Sequence, residues 1–144
     1  MEENFTKCEP LTPPASDGKI ITVGMADIKI AEGPKILQTT LGSCVAVCAY
    51  CRPRKTGGLL HFMMPGILTG IETQHSLKEA KYAATGIPRL FNMLMLKGIH
   101  PDGLEVKVFG GARILKSVTR DIGSENRTAA DLLCSWSRKS RFRE

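Results

Sequence analysis

Two side chains seventeen residues apart, Cys44 and His61, are the pair in this sequence best suited to chemistry. A thiol is a weak nucleophile until it loses its proton, and an imidazole beside it both takes that proton and stabilises the anion left behind. Gly42-Ser43 stands immediately before the cysteine. A glycine there lets the backbone turn tightly, with N–H groups that can point at an oxyanion forming next to the sulfur. Such a group cleaves acyl compounds through a thioester.

Two plainer readings compete, and residue types alone favour the first. Cys44 and Cys48 lie four apart in an apolar run, and buried cysteine is a common small core residue. Alternatively Cys44, Cys48, Cys51 and His61 offer four zinc ligands, with one Cys-x2-Cys knuckle but no second knuckle or histidine pair of regular spacing. No metal or other cofactor is expected. His75 and His100 stand alone and read as loop or surface residues, while Met63-Met64 and Met93-Leu94-Met95 read as core filler.

The elements that must position the pair are short strands. Ile20–Val23, Asp27–Ile30 and Lys35–Thr39 are β-branched runs separated by Gly and Pro. Cys44–Tyr50 is almost wholly apolar, as in a strand covered on both faces, and Leu59–Met64 is a second such strand. With a loop at 51–54, residues 43–64 form a hairpin in which Cys44 lies directly opposite His61. Displacing that register by two keeps both on one face, whereas displacing it by one separates them.

Helical spacing runs over 77–97, interrupted by Gly86 and Pro88, so that the helix either kinks or restarts with Pro88 in its first turn. Gly98 supplies a C-terminal cap. Leu104–Phe109 alternates strictly as a strand, and a short helix is expected near 125–135. Strands grouped around one long helix predict an α+β protein of packed layers.

At 144 residues the chain is the size of one domain. Residues 1–18, with Pro10, Pro13 and Pro14, read as a disordered leader, residues 19–135 as the domain and residues 136–144 as a basic tail. The acidic start lacks a secretory signal and no apolar run is long enough to span a bilayer, which predicts a cytoplasmic protein with free thiols. Of the net charge of +6, four positive residues (Arg138, Lys139, Arg141 and Arg143) crowd the end. The remaining charges are mixed and aromatics are sparse, which argues against nucleic acid as a partner.

Thr40-Leu41-Gly42-Ser43-Cys44-Val45-Ala46-Val47, followed by Gly57-Gly58-Leu59-Leu60-His61-Phe62-Met63-Met64-Pro65, closely resembles the CheD family of chemoreceptor glutamine deamidases. Val23-Gly24-Met25-Ala26-Asp27, Lys81-Tyr82-Ala83, Phe109-Gly110-Gly111-Ala112 and Ile122-Gly123-Ser124-Glu125-Asn126 extend the likeness over residues 20–127. The resemblance implies Cys44 as nucleophile and His61 as base. It also implies conversion of glutamine side chains of methyl-accepting chemotaxis receptors to glutamate, with release of ammonia. It further implies a layered α/β/β/α cysteine-hydrolase-like sandwich of mixed sheets and a CheC-type phosphatase as a partner. A threonine upstream of the cysteine orients the histidine in this family. Here that residue is Thr39, with Gln38 as the alternative, and the two point to opposite faces of a regular strand.

The family pattern continues past the Ile-Gly-x-x-Asn element with a helix, a strand, a glycine-rich segment and a closing strand pair. This chain reads Arg127-Thr128-Ala129-Ala130-Asp131-Leu132-Leu133-Cys134-Ser135-Trp136 instead. The expectation is a truncated or out-of-frame C-terminus with the last strands missing, leaving unpaired edges and reduced stability. A non-enzymatic adaptor and an inactive remnant are then the alternatives to the enzyme.

Overall fold

In the computed structural model the described residues are 18–66, 78–114 and 120–139. Residues 1–17 of the expected leader, His75, Leu77 at the start of the expected helix and residues 140–144 of the expected tail lie outside them. Six strands and two helices follow one another as β1 (Ile20–Thr22), β2 (Asp27–Glu32), β3 (Ile36–Gln38), β4 (Val45–Cys51), β5 (Thr56–Phe62), α1 (Ala83–Leu96), β6 (Glu105–Gly110) and α2 (Ile122–Lys139). The class is mixed α+β with two sheets. α2 is longer than the helix expected at 125–135.

β2, β5, β4 and β6 make an antiparallel four-stranded sheet in that order, and β1 pairs with β3 in parallel. Alternation along β4 divides its side chains between two clusters. Val45, Val47, Ala49 and Cys51 join Leu60 and Phe62 of β5 against Ile87, Leu90, Phe91 and Leu94 of α1 and Ala130 of α2. Ala46 and Cys48 turn the other way, to Leu59, Val23, Leu37 and Leu41. Each large apolar side chain so buried contributes about 1.5–3 kcal/mol, and the sheet is held from both sides.

The hairpin register differs from the expected one. Cys51 pairs with Thr56 and Val45 with Phe62, so His61 lies opposite Ala46 rather than Cys44. The turn is 52–55, not 51–54. The Lys55 N–H donates to the Arg52 carbonyl at 3.1 Å, Lys55 takes a left-handed φ of 46°, and Pro53 occupies the second position, where its fixed φ fits. The index sum therefore rises by two, and Cys44, in the bend before β4, falls one position beyond the last pair, Val45 with Phe62.

The expected long helix also differs. Glu79–Lys81 is a 3₁₀ turn, Tyr82 is extended with φ −115° and ψ 140°, and α1 starts at Ala83. Pro88 lies inside α1, where burial of the i, i+3, i+4 stripe from Ala83 to Leu94 offsets the lost backbone bond. At its end the Gly98 N–H bonds to Met95 at 2.8 Å and the Ile99 N–H to Leu94 at 3.2 Å. These are the two bonds of a Schellman cap, with Gly98 at φ 77°. Gly98→Ala should lower unfolding stability in urea by about 1 kcal/mol, the penalty of a side chain in the left-handed region; an unchanged midpoint would contradict the cap's role.

Candidate active site

His61 sits on β5 between β2 and β4, flanked in register by Asp27 and Ala46. It is only 2% exposed, on the face of Ala46 and Leu59. Thr39, just past β3, meets it there. The Thr39 hydroxyl donates to the Val23 carbonyl at 2.6 Å and lies 2.8 Å from His61 Nδ1. A hydroxyl has one hydrogen. Since that hydrogen goes to Val23, Thr39 must accept from Nδ1–H, which leaves Nε2 with its lone pair. Nε2 is buried without a hydrogen-bond partner among the described residues. Burial pushes the imidazole below its usual range, and the Val23 carbonyl pulls weakly the other way. Gln38 points elsewhere, its amide nitrogen 3.4 Å from the Thr22 hydroxyl on the exposed side.

Cys44 lies half-buried where the chain bends into β4. Burial raises its thiol, an effect partly opposed by its own N–H. Both shifts favour the uncharged forms of thiol and imidazole. No partner of Nε2 is the Cys44 sulfur, which is ordinary for a site without substrate, where such bonds are long.

The turn ahead of Cys44 is fixed through its carbonyls. Gly42 accepts from the Ala112 N–H at 3.1 Å, and Cys44 accepts from the Gly111 N–H at 3.0 Å. Ser43 accepts from the Asn126 amide at 3.2 Å. Gly110 has φ 95°, and a Cβ there would stand 2.4 Å from the Cys44 oxygen, so only glycine fits beside the turn. A cleft of about 150 Å³ opens next to Ser43, lined by Arg113, Ile114, Asp121 and Gly123 among others. A larger groove of about 610 Å³ lies toward the hairpin end, past Cys48.

Alternation along β4 puts Cys51 with the helix-side core and Cys48 on the opposite face, so the four imagined zinc ligands do not converge. Cys44, Cys48 and Cys51 are free thiols. Asn126, fully buried on α2, escaped the sequence reading as a positioned group: its amide also donates to the Met63 carbonyl at 2.8 Å. The available signal was a polar residue in the apolar stripe that includes Ala130 and Cys134.

A family model described as CheD chemotactic sensory transduction matches residues 63–138, a span that takes in the segment after Arg127 where the sequence reading ended the likeness. A "Probable chemoreceptor glutamine deamidase CheD" from Methanococcus maripaludis (strain S2) is 39% identical over 109 residues, covering 74% of this chain and 68% of the relative. The "Chemoreceptor glutamine deamidase CheD" of Bacillus velezensis is 34% identical, covering 74% and 64%, and that of Bacillus subtilis 35%, covering 70% and 60%. The chain belongs to the CheD family. No helix among its described residues is long and apolar enough to cross a membrane.

The shared Thr39 hydroxyl makes a spectroscopic prediction. In ¹⁵N spectra at neutral pH, His61 should be neutral with its proton on Nδ1, and on acidification it should titrate below the ordinary imidazole range. Because the folded-state value is depressed, this residue's contribution to stability is present above the unfolded imidazole's titration and is lost as pH falls through the folded one. A ring protonated on Nε2, or one that titrates above an unfolded histidine, would contradict the assignment.

Proposed function

We propose that this chain hydrolyses side-chain amides of selected glutamines on chemotaxis receptors, with Cys44 as nucleophile, His61 as base and Thr39 as the residue that orients the imidazole. One observation carries the reading: the Thr39 hydroxyl accepts from His61 Nδ1 and leaves Nε2 with its lone pair, on a strand whose neighbour β4 begins one residue after Cys44. Family membership supplies the substrate class, since the relatives above are named chemoreceptor glutamine deamidases.

The thiol proton passes to Nε2 as the sulfur attacks the amide carbon. Negative charge gathers on the former carbonyl oxygen, which N–H groups of the Gly42-Ser43-Cys44 turn stabilise. The imidazolium returns the proton to the amide nitrogen, ammonia leaves and a thioester remains. Water, deprotonated by Nε2, then attacks the thioester, the C–S bond breaks, and glutamate and the thiol are regenerated. In sum, glutamine and water give glutamate and ammonia. The base must be neutral at both attacks, so the rate is lost as pH falls through the depressed His61 titration.

We further propose kinship with the layered α/β/β/α cysteine-hydrolase type, of which the described residues hold the two sheets and one helix layer, α1 and α2 on the same face of the larger sheet. Cys44 is half-buried at the start of β4, the place where a glutamine on the surface of a receptor helix in the cytoplasm would reach it. A CheC-type phosphatase remains the proposed regulatory partner.

Cys44→Ala and His61→Ala should each abolish ammonia release from a receptor cytoplasmic fragment while leaving binding to it intact; turnover by either variant would sink the assignment. Thr39→Val should lower kcat on the order of ten- to a hundredfold, the scale of losing a group that orients a metal ligand or catalytic base. Thr39→Ser, which keeps the hydroxyl, should restore most of it, and equal rates in both variants would remove Thr39 from the mechanism.

A further inference from the structure

We propose that Asn126 is a positioning residue for the Cys44–His61 pair, acting by joining the two strand ends that carry them. This rests on the reading of Cys44 and His61 given above. The last rung of the β4–β5 ladder is Val45 with Phe62. Beyond it, the next positions in register are Cys44 and Met63, where no strand hydrogen bond ties the chains together. The Asn126 side chain occupies that gap. Its single NH₂ group donates to the Ser43 carbonyl at 3.2 Å and to the Met63 carbonyl at 2.8 Å. One acceptor precedes the nucleophile by one residue, and the other follows the base by two.

The amide is itself held firmly. Asn126 is 0% exposed, and one turn earlier Gly123 lets α2 approach the Gly111–Ala112 backbone so closely that a Cβ would stand 2.5 Å from the Gly111 oxygen. Gly111 and Ala112 are the residues whose N–H groups hold Cys44 and Gly42. The same backbone segment therefore seats the helix and holds the turn, and the amide reaches from that helix to the far strand.

Asn126 Oδ1 is buried with no hydrogen-bond partner. An unmet buried acceptor destabilises a fold, and an apolar side chain would fill the space without it. The residue's value therefore lies in its two donors and in what they hold together. Misplacing reacting groups by about 1 Å can lower a rate about a hundredfold, so loss of the bridge should weaken the proton transfer between sulfur and imidazole without removing either group.

The test is the pH dependence of Cys44 alkylation by iodoacetamide in the full chain, read by peptide mass spectrometry with Cys48 as internal standard. In the parent, the Cys44 rate should follow the His61 titration and lose that dependence in His61→Ala. Asn126→Asp keeps the shape and removes the donor pair. It should give a profile close to that of His61→Ala, with kcat for ammonia release at least tenfold lower and KM changed less than threefold. Asn126→Ser, smaller and with one donor, should fall between. If Asn126→Asp does not fold, Asn126→Ser decides. Leu94→Ala, in the α1 core, should lower Tm yet keep the parental profile.

A parental profile in the folded Asn126 variants, or an equal disturbance by Leu94→Ala, would overturn the proposal. Alkylation needs no substrate, so this outcome stands apart from a failure of the deamidase reading, which would show as ammonia release persisting in Cys44→Ala.

Discussion

The Thr39 hydroxyl has a single hydrogen, and it goes to the Val23 carbonyl. Everything about the histidine follows from that. The hydroxyl oxygen can only accept from the ring, the ring proton is thereby located on Nδ1, and the opposite nitrogen keeps its lone pair. Three separate pieces of chain must be in place for this one arrangement: the ends of β1, β3 and β5. The small parallel sheet therefore does more than cover the apolar face of Ala46 and Leu59, because it delivers the hydroxyl, and the carbonyl that takes its hydrogen, to the buried imidazole.

The larger sheet imposes the complementary constraint. β4 is paired on both edges, with β5 on one side and β6 on the other, and its two faces are covered by separate apolar clusters. Cys44 lies at the mouth of this strand, where the turn's carbonyls are held from the β6 end and from α2. A residue so placed is fixed in its backbone while its side chain is only half-buried, which suits the attacking role proposed for Cys44.

Local chemistry made much of this legible beforehand. β-branched runs located the strands, Gly98 located the end of α1, and the apolar character of Val45–Cys51 matched its coverage from both sides. Pro53 in fact marked the turn correctly as 52–55, since proline belongs at the second position. Counting outward from a loop at 51–54 moved every partner by two and made Cys44 and His61 look directly opposed. The start of α1 was obscured because Tyr82 has a helix-compatible side chain, while its extended backbone is set by tertiary pairing with Met64. The place of Asn126 in an apolar stripe marked it as buried, but its partners are 83 and 63 residues away in sequence, and only the packing of α2 reveals them.

The partial burial of Cys44 has a bearing on how the protein withstands its surroundings. Peroxides and disulfides react with thiolates, and susceptible cysteines are those held ionised and accessible. Here burial favours the protonated form of the Cys44 sulfur. On the mechanism proposed above the thiol gives up its proton only as it attacks, so burial limits the standing share of thiolate open to those oxidants.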